Sequence, residues 1–339
     1  MLELVREVLA QQPAWIVGGA VRDRLLGRPV LDLDVACLEP ERTARAFARR
    51  LGGAPFPLSE RHGAWRVAVE DGRTLDFTPL RGSIEEDLAT RDFTLNAIAE
   101  PAGGGDPVDP FGGVRDLKER TLRAVSPEVF RDDPLRLLRA VRLEDELGFR
   151  LEQGTEALVR RDAELVGSPA GERILGELQR LSATGFRRLD ALGLLRPLGG
   201  SLDRLGERVA SPELRLVAVF GEGLLRLPVS NELRRYARCL LRAEPPVDAS
   251  PRAIHRFRRL TEPWALEALA YLDAEGFLEA VRRARATEPA APLLRGDELG
   301  VPAGPEIGRL LGRIAEERAA GTIATREDAL ELVRREVTP

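Results

Sequence analysis

The chain has 339 residues, enough for two or three packed units, with 43% hydrophobic and 31% charged residues and a formal net charge of −4. This is the composition of a soluble globular protein, and no apolar run approaches the roughly 18 residues of a membrane span. His62 and His255 are too few for a multi-histidine metal site, and Cys37 and Cys239 are too far apart for a disulfide framework or a zinc site. A reducing cytoplasm is the expected setting, and any metal must sit on carboxylates.

In chain order, residues 2–10 read as a short amphipathic helix without the small-residue cleavage site of a secretory signal. Strands are expected at 14–18 and 30–37, with a helix over 19–26 between them. Residues 39–51 read as a helix stopped by Gly52-Gly53. The runs 64–70 and 73–79 both alternate, and Asp71-Gly72 between them signals a hairpin. Residues 106–113 read as a loop, and 120–125 as a short strand. The first 125 residues are therefore mixed α/β. Beyond residue 126 the spacing is helical, punctuated by Gly and Pro, and no convincing strand is visible. Proline-rich punctuation at 244–246 and 288–292 marks internal boundaries, and Thr325-Arg326-Glu327-Asp328 resembles a capped helix start.

The net charge argues against a nucleic-acid partner, but its distribution argues for one. Residues 173–259 carry 17 Arg against 9 Asp plus Glu. A locally basic half on an acidic chain suits a polyanion docked on one region.

The chemistry concentrates in AWIVGGAVRDRLLGRPVLDLDVA, residues 14–36. Side chains two apart on a strand share a face, so Asp32 and Asp34 point one way while Leu31, Leu33 and Val35 point the other. Two neighbouring carboxylates repel, and one pKa rises unless a cation offsets the charge. Hard oxygen ligands suit magnesium. The Gly18-Gly19 turn can open backbone N–H groups toward a phosphate at a helix N-terminus. In Thr74-Leu75-Asp76-Phe77-Thr78, Asp76 faces away from its apolar neighbours. If that strand lies beside the first, three carboxylates converge, the constellation for two-metal nucleotidyl transfer. Further on, Arg91, Asp92 and Asn96 are polar groups among apolar helical residues. Arg91 can grip phosphate, and Asp92 can accept from a ribose hydroxyl.

The ordered series GGAVRD, LDLDVA, LDFTPLRG, EEDLATRDFTLNAIA, DPFGGVRDLKERTLRAV, RDDPLRLLRAVR and GERILGEL resembles the class II tRNA nucleotidyltransferases. These are the CCA-adding enzymes, grouped with bacterial poly(A) polymerases. The series covers about residues 14–180, and DELGVPAGPEIGRLLGRI looks like that family's tail. The resemblance implies an α+β chain: a small mixed α/β nucleotidyltransferase head over 1–125, then an all-α neck over 126–195, body over 196–285 and tail over 286–339. It implies that Asp32, Asp34 and Asp76 hold two Mg2+ ions. Gly18, Gly19 and Arg22, with Asp23 alongside, match the triphosphate-binding turn. Arg91, Asp92 and Asn96 match the ribose and triphosphate motif. Asp133 and Arg136 match the pair that reads the incoming base by Watson–Crick-like hydrogen bonds, in place of a nucleic-acid template, and their spacing of three predicts one helical face. Arg139 and Arg142 have phosphate or packing roles, while Glu172, Arg173 and Glu177 orient the neck helix. Expected partners are CTP, with ATP as a second nucleotide, and tRNA, held at its acceptor stem and T arm by the basic helices.

Two departures from the family pattern stand out. Asp132-Asp133 replaces the usual Glu-Asp, with the base-reading Asp133 kept. The connection from Asp76 to Arg91 lacks the longer flexible loop of CCA-adding and A-adding members, so the chain resembles the CC-adding type, which stops after two cytidines. Full CCA addition, poly(A) synthesis, small-molecule nucleotidyl transfer and non-catalytic RNA binding are the alternatives. Trp15 is expected in the core, Cys37 as a small apolar filler, His62 in a turn, and His255 packed or exposed.

Overall fold

The structure, a computed structural model, describes residues 5, 9, 13–30, 32–51, 53–59, 63–69, 72–80, 82–206, 209–289 and 291–337. The expected helix over 2–10, the Asp71 corner of the hairpin, and His62 fall wholly or mostly outside them. The chain divides into two compact units, 1–198 and 199–339.

In the first unit, six strands among the described residues form one sheet. They are β1 (Ala14–Val17), β2 (Asp32–Cys37), β3 (Ala54–Ser59), β4 (Ala64–Ala68), β5 (Thr74–Pro79) and β6 (Ala99–Pro101), in the order β3-β4-β5-β2-β1-β6. β2 and β5 pair in parallel, and the other pairs are antiparallel. The alternation that predicted the faces holds. Leu33, Val35, Leu75 and Phe77 are buried, and Phe77 meets Phe47 of helix α2 (Pro40–Leu51) with ring centroids 5.2 Å apart. On the opposite face, Val17 and Ala36 pack with Ile84 and Leu88 of α3 (Ile84–Ala89), and Trp15 lies against this cluster partly buried. Cys37 is buried, its thiol 3.8 Å from the Thr43 hydroxyl.

β3 and β6 were not expected. β3 carries Pro55 and Pro57 and pairs on one side with β4, a sheet-edge position that tolerates residues without an N–H. β6 is three residues long and too short to show periodicity.

After the sheet, α4 (Gly113–Lys118) approaches the turn at 94–96 so closely that a Cβ on Gly113 would collide with the Thr94 carbonyl. The buried Asp116 fixes that contact, accepting from the Thr94 hydroxyl at 2.7 Å and from Arg123 at 3.1 Å. α5 (Val129–Asp132) leads to α6 (Leu135–Leu147), whose face of Leu137, Leu138, Ala140 and Val141 is fully buried. α6 ends at Gly148 in the left-handed conformation, φ 66°. It packs against α8 (Gly171–Leu178) and α9 (Ala183–Ala191). One strand pair departs from the all-α expectation beyond residue 126: β7 (Thr121–Leu122) runs parallel to β8 (Arg150–Leu151). A two-residue strand followed at once by α7 (Gln153–Arg161) leaves no alternation to detect.

The second unit is helical among its described residues: α10 (Pro212–Phe220), α11 (Asn231–Arg242), α12 (Pro251–Thr261), α13 (Ala265–Tyr271), α14 (Leu278–Ala286), α15 (Pro305–Ala319) and α16 (Arg326–Val337). Ser211, Ser230 and Ser250 each accept from the third backbone N–H beyond them, and Pro follows Ser211 and Ser250 at the first helical position. One core gathers Ile254, Phe257, Ala268 and Leu269, another Leu294, Leu310, Ile314 and Val333. No helix among the described residues is long and apolar enough to cross a membrane.

Candidate active site

Register brings the expected acids together. Asp34 of β2 pairs directly with Asp76 of β5, and Asp32 with Thr74. Paired residues of neighbouring strands share a face, so Asp32, Asp34 and Asp76 stand on one side of the sheet. Thr74 donates its hydroxyl to Asp32 at 2.7 Å. Burial pushes the Asp34 carboxyl up to about 6, reinforced by repulsion from Asp76 and Asp32 and opposed by Arg91 and Arg66. This is the raised acid that the strand pattern anticipated.

The third carboxylate is not free. Arg66 of β4 pairs in register with Asp76 and forks onto it, Nε to Oδ1 at 2.6 Å and Nη2 to Oδ2 at 2.7 Å. Among the described residues, no three acidic, histidine or cysteine side chains are gathered as a ready metal cluster. Asp32 and Asp34 nevertheless present hard oxygens with a surplus of negative charge, and that donor set suits a divalent metal ion. Arg66 was missed from sequence: a two-residue Asp71-Gly72 turn sets Val67, not Arg66, opposite Asp76, and the observed register is one residue away from that expectation.

Gly18 precedes α1 (Gly19–Leu25) with φ 72°. A Cβ there would lie 2.9 Å from Arg91 Nη1 and 3.3 Å from Asp34 Oδ2, so the missing side chain leaves room between a cation and an acid. Arg22 folds back over Gly19, grips Asp23 through Nε and Nη2, and donates from Nη1 to Asn96 at 2.8 Å. Arg91 bonds Asp87 at 3.1 Å, while its buried Nε has no hydrogen-bond partner. The nitrogen that faces Gly18 is Nη1, and a guanidinium edge beside a glycine turn is what a phosphate-binding corner requires.

The stretch carrying Arg91, Asp92 and Asn96 is not a helix face as expected. α3 ends at Ala89, and a turn and a short 3₁₀ segment at Thr94–Asn96 follow. Asp92 is buried and fully used. It accepts from the Phe93 N–H and Asn96 on one oxygen and from Arg139 on the other, at 2.8 Å from Nε and 2.6 Å from Nη2. The adjacent Arg139 guanidinium and these hydrogen bonds overcome desolvation and hold its carboxyl below the usual range. Such an Asp92 anchors the neck helix, and both its oxygens are engaged by partners within the chain. Arg139, one-third exposed, lines a cavity together with Arg91 and Arg136, and it lies 3.8 Å from Glu177, which also holds Arg142.

Asp133 and Arg136 are likewise not on one helical face. Asp133 is extended, φ −147°, ahead of α6, and its Oδ1 accepts the Leu135 N–H at 3.2 Å. Arg173 forks onto its two oxygens at 3.3 and 2.7 Å. Arg136 donates to the carbonyls of Thr90 at 2.6 Å and Val129 at 3.4 Å. Asp133, Arg136 and Arg91 nonetheless line one cavity of about 740 Å3 in the first unit. The cavity thus joins the base-reading candidates to the arginine beside Gly18.

Comparison with known proteins gives this arrangement a family. The Poly A polymerase head domain matches residues 14–84 and 67–123. An A-adding tRNA nucleotidyltransferase of Deinococcus radiodurans is 34% identical over 96% of this chain and 96% of its own length. A CC-adding tRNA nucleotidyltransferase of Thermus thermophilus is 35% identical over 93% and 92%. The chain belongs to the tRNA nucleotidyltransferases. A CC-adding tRNA nucleotidyltransferase of Geobacter sulfurreducens is 47% identical, but over 50% of this chain and 40% of that protein. The Bacillus stearothermophilus CCA-adding enzyme, solved in complex with CTP, has the same α+β fold, with a TM-score of 0.79 at 26% identity over 99% of this chain and 96% of that one. This tRNA nucleotidyltransferase therefore carries its acid strands and its neck helix within a fold shared along almost the whole chain.

Proposed function

We propose that this chain transfers CMP from CTP to the 3′ end of tRNA, without a nucleic-acid template, and stops after two cytidines. The observation that carries nucleotidyl transfer is the juxtaposition of Asp34 and Asp76 on neighbouring strands, with Gly18 and the Arg91 guanidinium alongside. Asp32, Asp34 and Asp76 would hold two Mg2+ ions, which supply charge neutralisation for attack of the tRNA 3′-hydroxyl on the α-phosphorus and for departure of pyrophosphate. Arg91 and the Gly18 corner receive the triphosphate. Arg22 and Asn96 keep that corner in shape.

Base choice falls to Asp133 and Arg136 at the cavity wall. The guanidinium donates to cytosine O2 and N3, and the carboxylate accepts from the C4 amino group. Uracil presents its donor and acceptor reversed at those positions and leaves buried polar groups unpaired. The basic helices of the second unit, with Arg234, Arg235, Arg238 and Arg242 on α11, suit the phosphates of the acceptor stem and T arm.

The CC-adding subtype is supported by the connection from β5 to α3. Four residues separate Pro79 from Ile84. Its ends are tied: the Leu80 N–H donates to the Cys37 carbonyl, and Ser83 and Glu86 form a capping box. Such a link has no length to reshape the pocket from C to A. A tRNA ending at the discriminator base, incubated with CTP and ATP, should grow by two nucleotides. Growth by three overturns the CC-only subtype, and a long adenylate tail overturns tRNA-end addition altogether in favour of poly(A) synthesis.

A further inference from the structure

Three neighbouring strands place Asp34, Asp76 and Arg66 in one row across the sheet: Asp34 opposite Asp76, and Asp76 opposite Arg66. Arg66 occupies both oxygens of Asp76 with two short hydrogen bonds. A carboxylate forked by a guanidinium has its best lone pairs directed at that guanidinium and few left for a cation. This explains why three acids share a face while no three-ligand cluster is assembled among the described residues. The Arg66 side chain is 33% exposed, against 15% for Asp76, so the arginine has the freedom to leave and the acid does not.

We propose that Arg66 is a positioning residue that withholds Asp76 from divalent metal until the nucleoside triphosphate arrives. The inference rests on the reading of Asp32, Asp34 and Asp76 as the metal-binding acids. With Arg66 in place, Asp32 and Asp34 alone face the cation, and metal binding to the free enzyme is weak. The triphosphate adds the negative charge that lets a second cation compete successfully with the guanidinium for Asp76. The enzyme is thereby spared a fully charged metal centre when no nucleotide is present. Arg66, once displaced, stays on the same face and remains available to a phosphate. The physics is competition: a partly buried bidentate ion pair worth somewhat more than 1 kcal/mol must be broken before Asp76 can ligate, which lowers apparent affinity on the order of tenfold.

The test is a titration of the full-length, nucleotide-free protein with Mn2+ alone, with free ion followed by electron paramagnetic resonance. Arg66→Met should bind Mn2+ about tenfold more tightly than the parent. Arg66→Lys, which keeps the charge but cannot fork, should gain about threefold and serves if the methionine variant does not fold. The double variant R66M/D76N should lose the gain, because the gain comes through the freed carboxylate. Asp34→Asn, alone, tests the metal reading itself and should weaken Mn2+ binding strongly. If Asp34→Asn weakens binding while neither Arg66 variant strengthens it, Arg66 is a strut and the proposal fails. If Asp34→Asn changes nothing, the assignment of the metal-binding acids fails instead.

Discussion

The paired strands β2 and β5 and the corner ahead of α6 do adjacent parts of one job, yet they are built on opposite principles. On the strands, backbone register fixes where each acid points, and Asp34 faces Asp76 because their residues are hydrogen-bonded neighbours. At the corner, nothing regular fixes Asp133. It sits in an extended residue between two helices and is held by Arg173, forty positions along the chain. The strand acids are placed by main chain and crowded by their own charge. The corner acid is placed by a side chain from elsewhere. The first kind of placement survives most changes around it; the second depends on single partners.

The largest expected effect lies on the strand side. Asp34→Ala removes the acid whose carboxyl is raised by burial and by the neighbouring Asp76 and Asp32. Addition to a tRNA lacking its terminal cytidines should fall by at least about a thousandfold, as for loss of a group that organises charge in the transition state. Binding of tRNA, measured by filter retention, should stay within about twofold, because the basic helices are in the other unit. Activity above one per cent of the parent would break the comparison, since register would then not be placing the essential acid.

What sequence could and could not show follows the same division. Alternation showed the faces of β2 and β5, and the Asp71-Gly72 corner signalled the hairpin of β4 and β5, but not the register, one residue off a two-residue turn, that sets Arg66 opposite Asp76. The glycine at 18 was visible as a turn, and the structure adds what the glycine makes room for, Arg91 and Asp34. The helical reading of residues 91–96 failed because apolar residues there serve a tight turn packed under α4, where Phe93, Leu95 and Ile98 are all buried without helical period. Asp133 and Arg136 were placed on one helix face from their spacing of three. Pro134 instead starts α6 after the acid and pushes Asp133 toward extended geometry. Partners chosen by long arginine side chains, Arg139 for Asp92 and Arg173 for Asp133, leave no local pattern, because a guanidinium reaches across whichever elements packing brings near.

An intermediate effect is expected at Asp92, where a loop is stapled to the neck helix. Asp92→Asn keeps the size of the side chain but leaves Arg139 without its main counter-ion. Removing one member of a buried pair costs about 3–5 kcal/mol; Arg139 is one-third exposed and has Glu177 within 3.8 Å, so about 2–3 kcal/mol at pH 7 is expected here. The pH dependence has a definite sign. The folded-state carboxyl lies below its unfolded value, so its contribution is fully present above about pH 4 and is lost as pH falls toward and through the folded value. Urea melts of parent and variant should differ most near neutrality and converge in the acid range. A constant gap down to the lowest pH at which both fold would mean that the pair contributes no charge-dependent stability.

The smallest expected effect is also the most discriminating. Arg173→Ala leaves Asp133 with one remaining hydrogen bond, from the Leu135 N–H, and frees the carboxylate to rotate. Stability should hardly change, because Arg173 is 52% exposed and exposed ion pairs contribute less than about 1 kcal/mol. Selection should change more than rate. A carboxylate that must be aimed at one amino group discriminates by geometry, and loosening it lowers the penalty for a base that lacks that group. CTP over UTP preference, read as the ratio of kcat/KM values, should fall about tenfold, or about 1.4 kcal/mol, with kcat for CTP reduced less. Equal losses for both nucleotides would make Arg173 a general support of the neck. A fall confined to the ratio would show that the corner achieves by a side-chain clamp what the strands achieve by register.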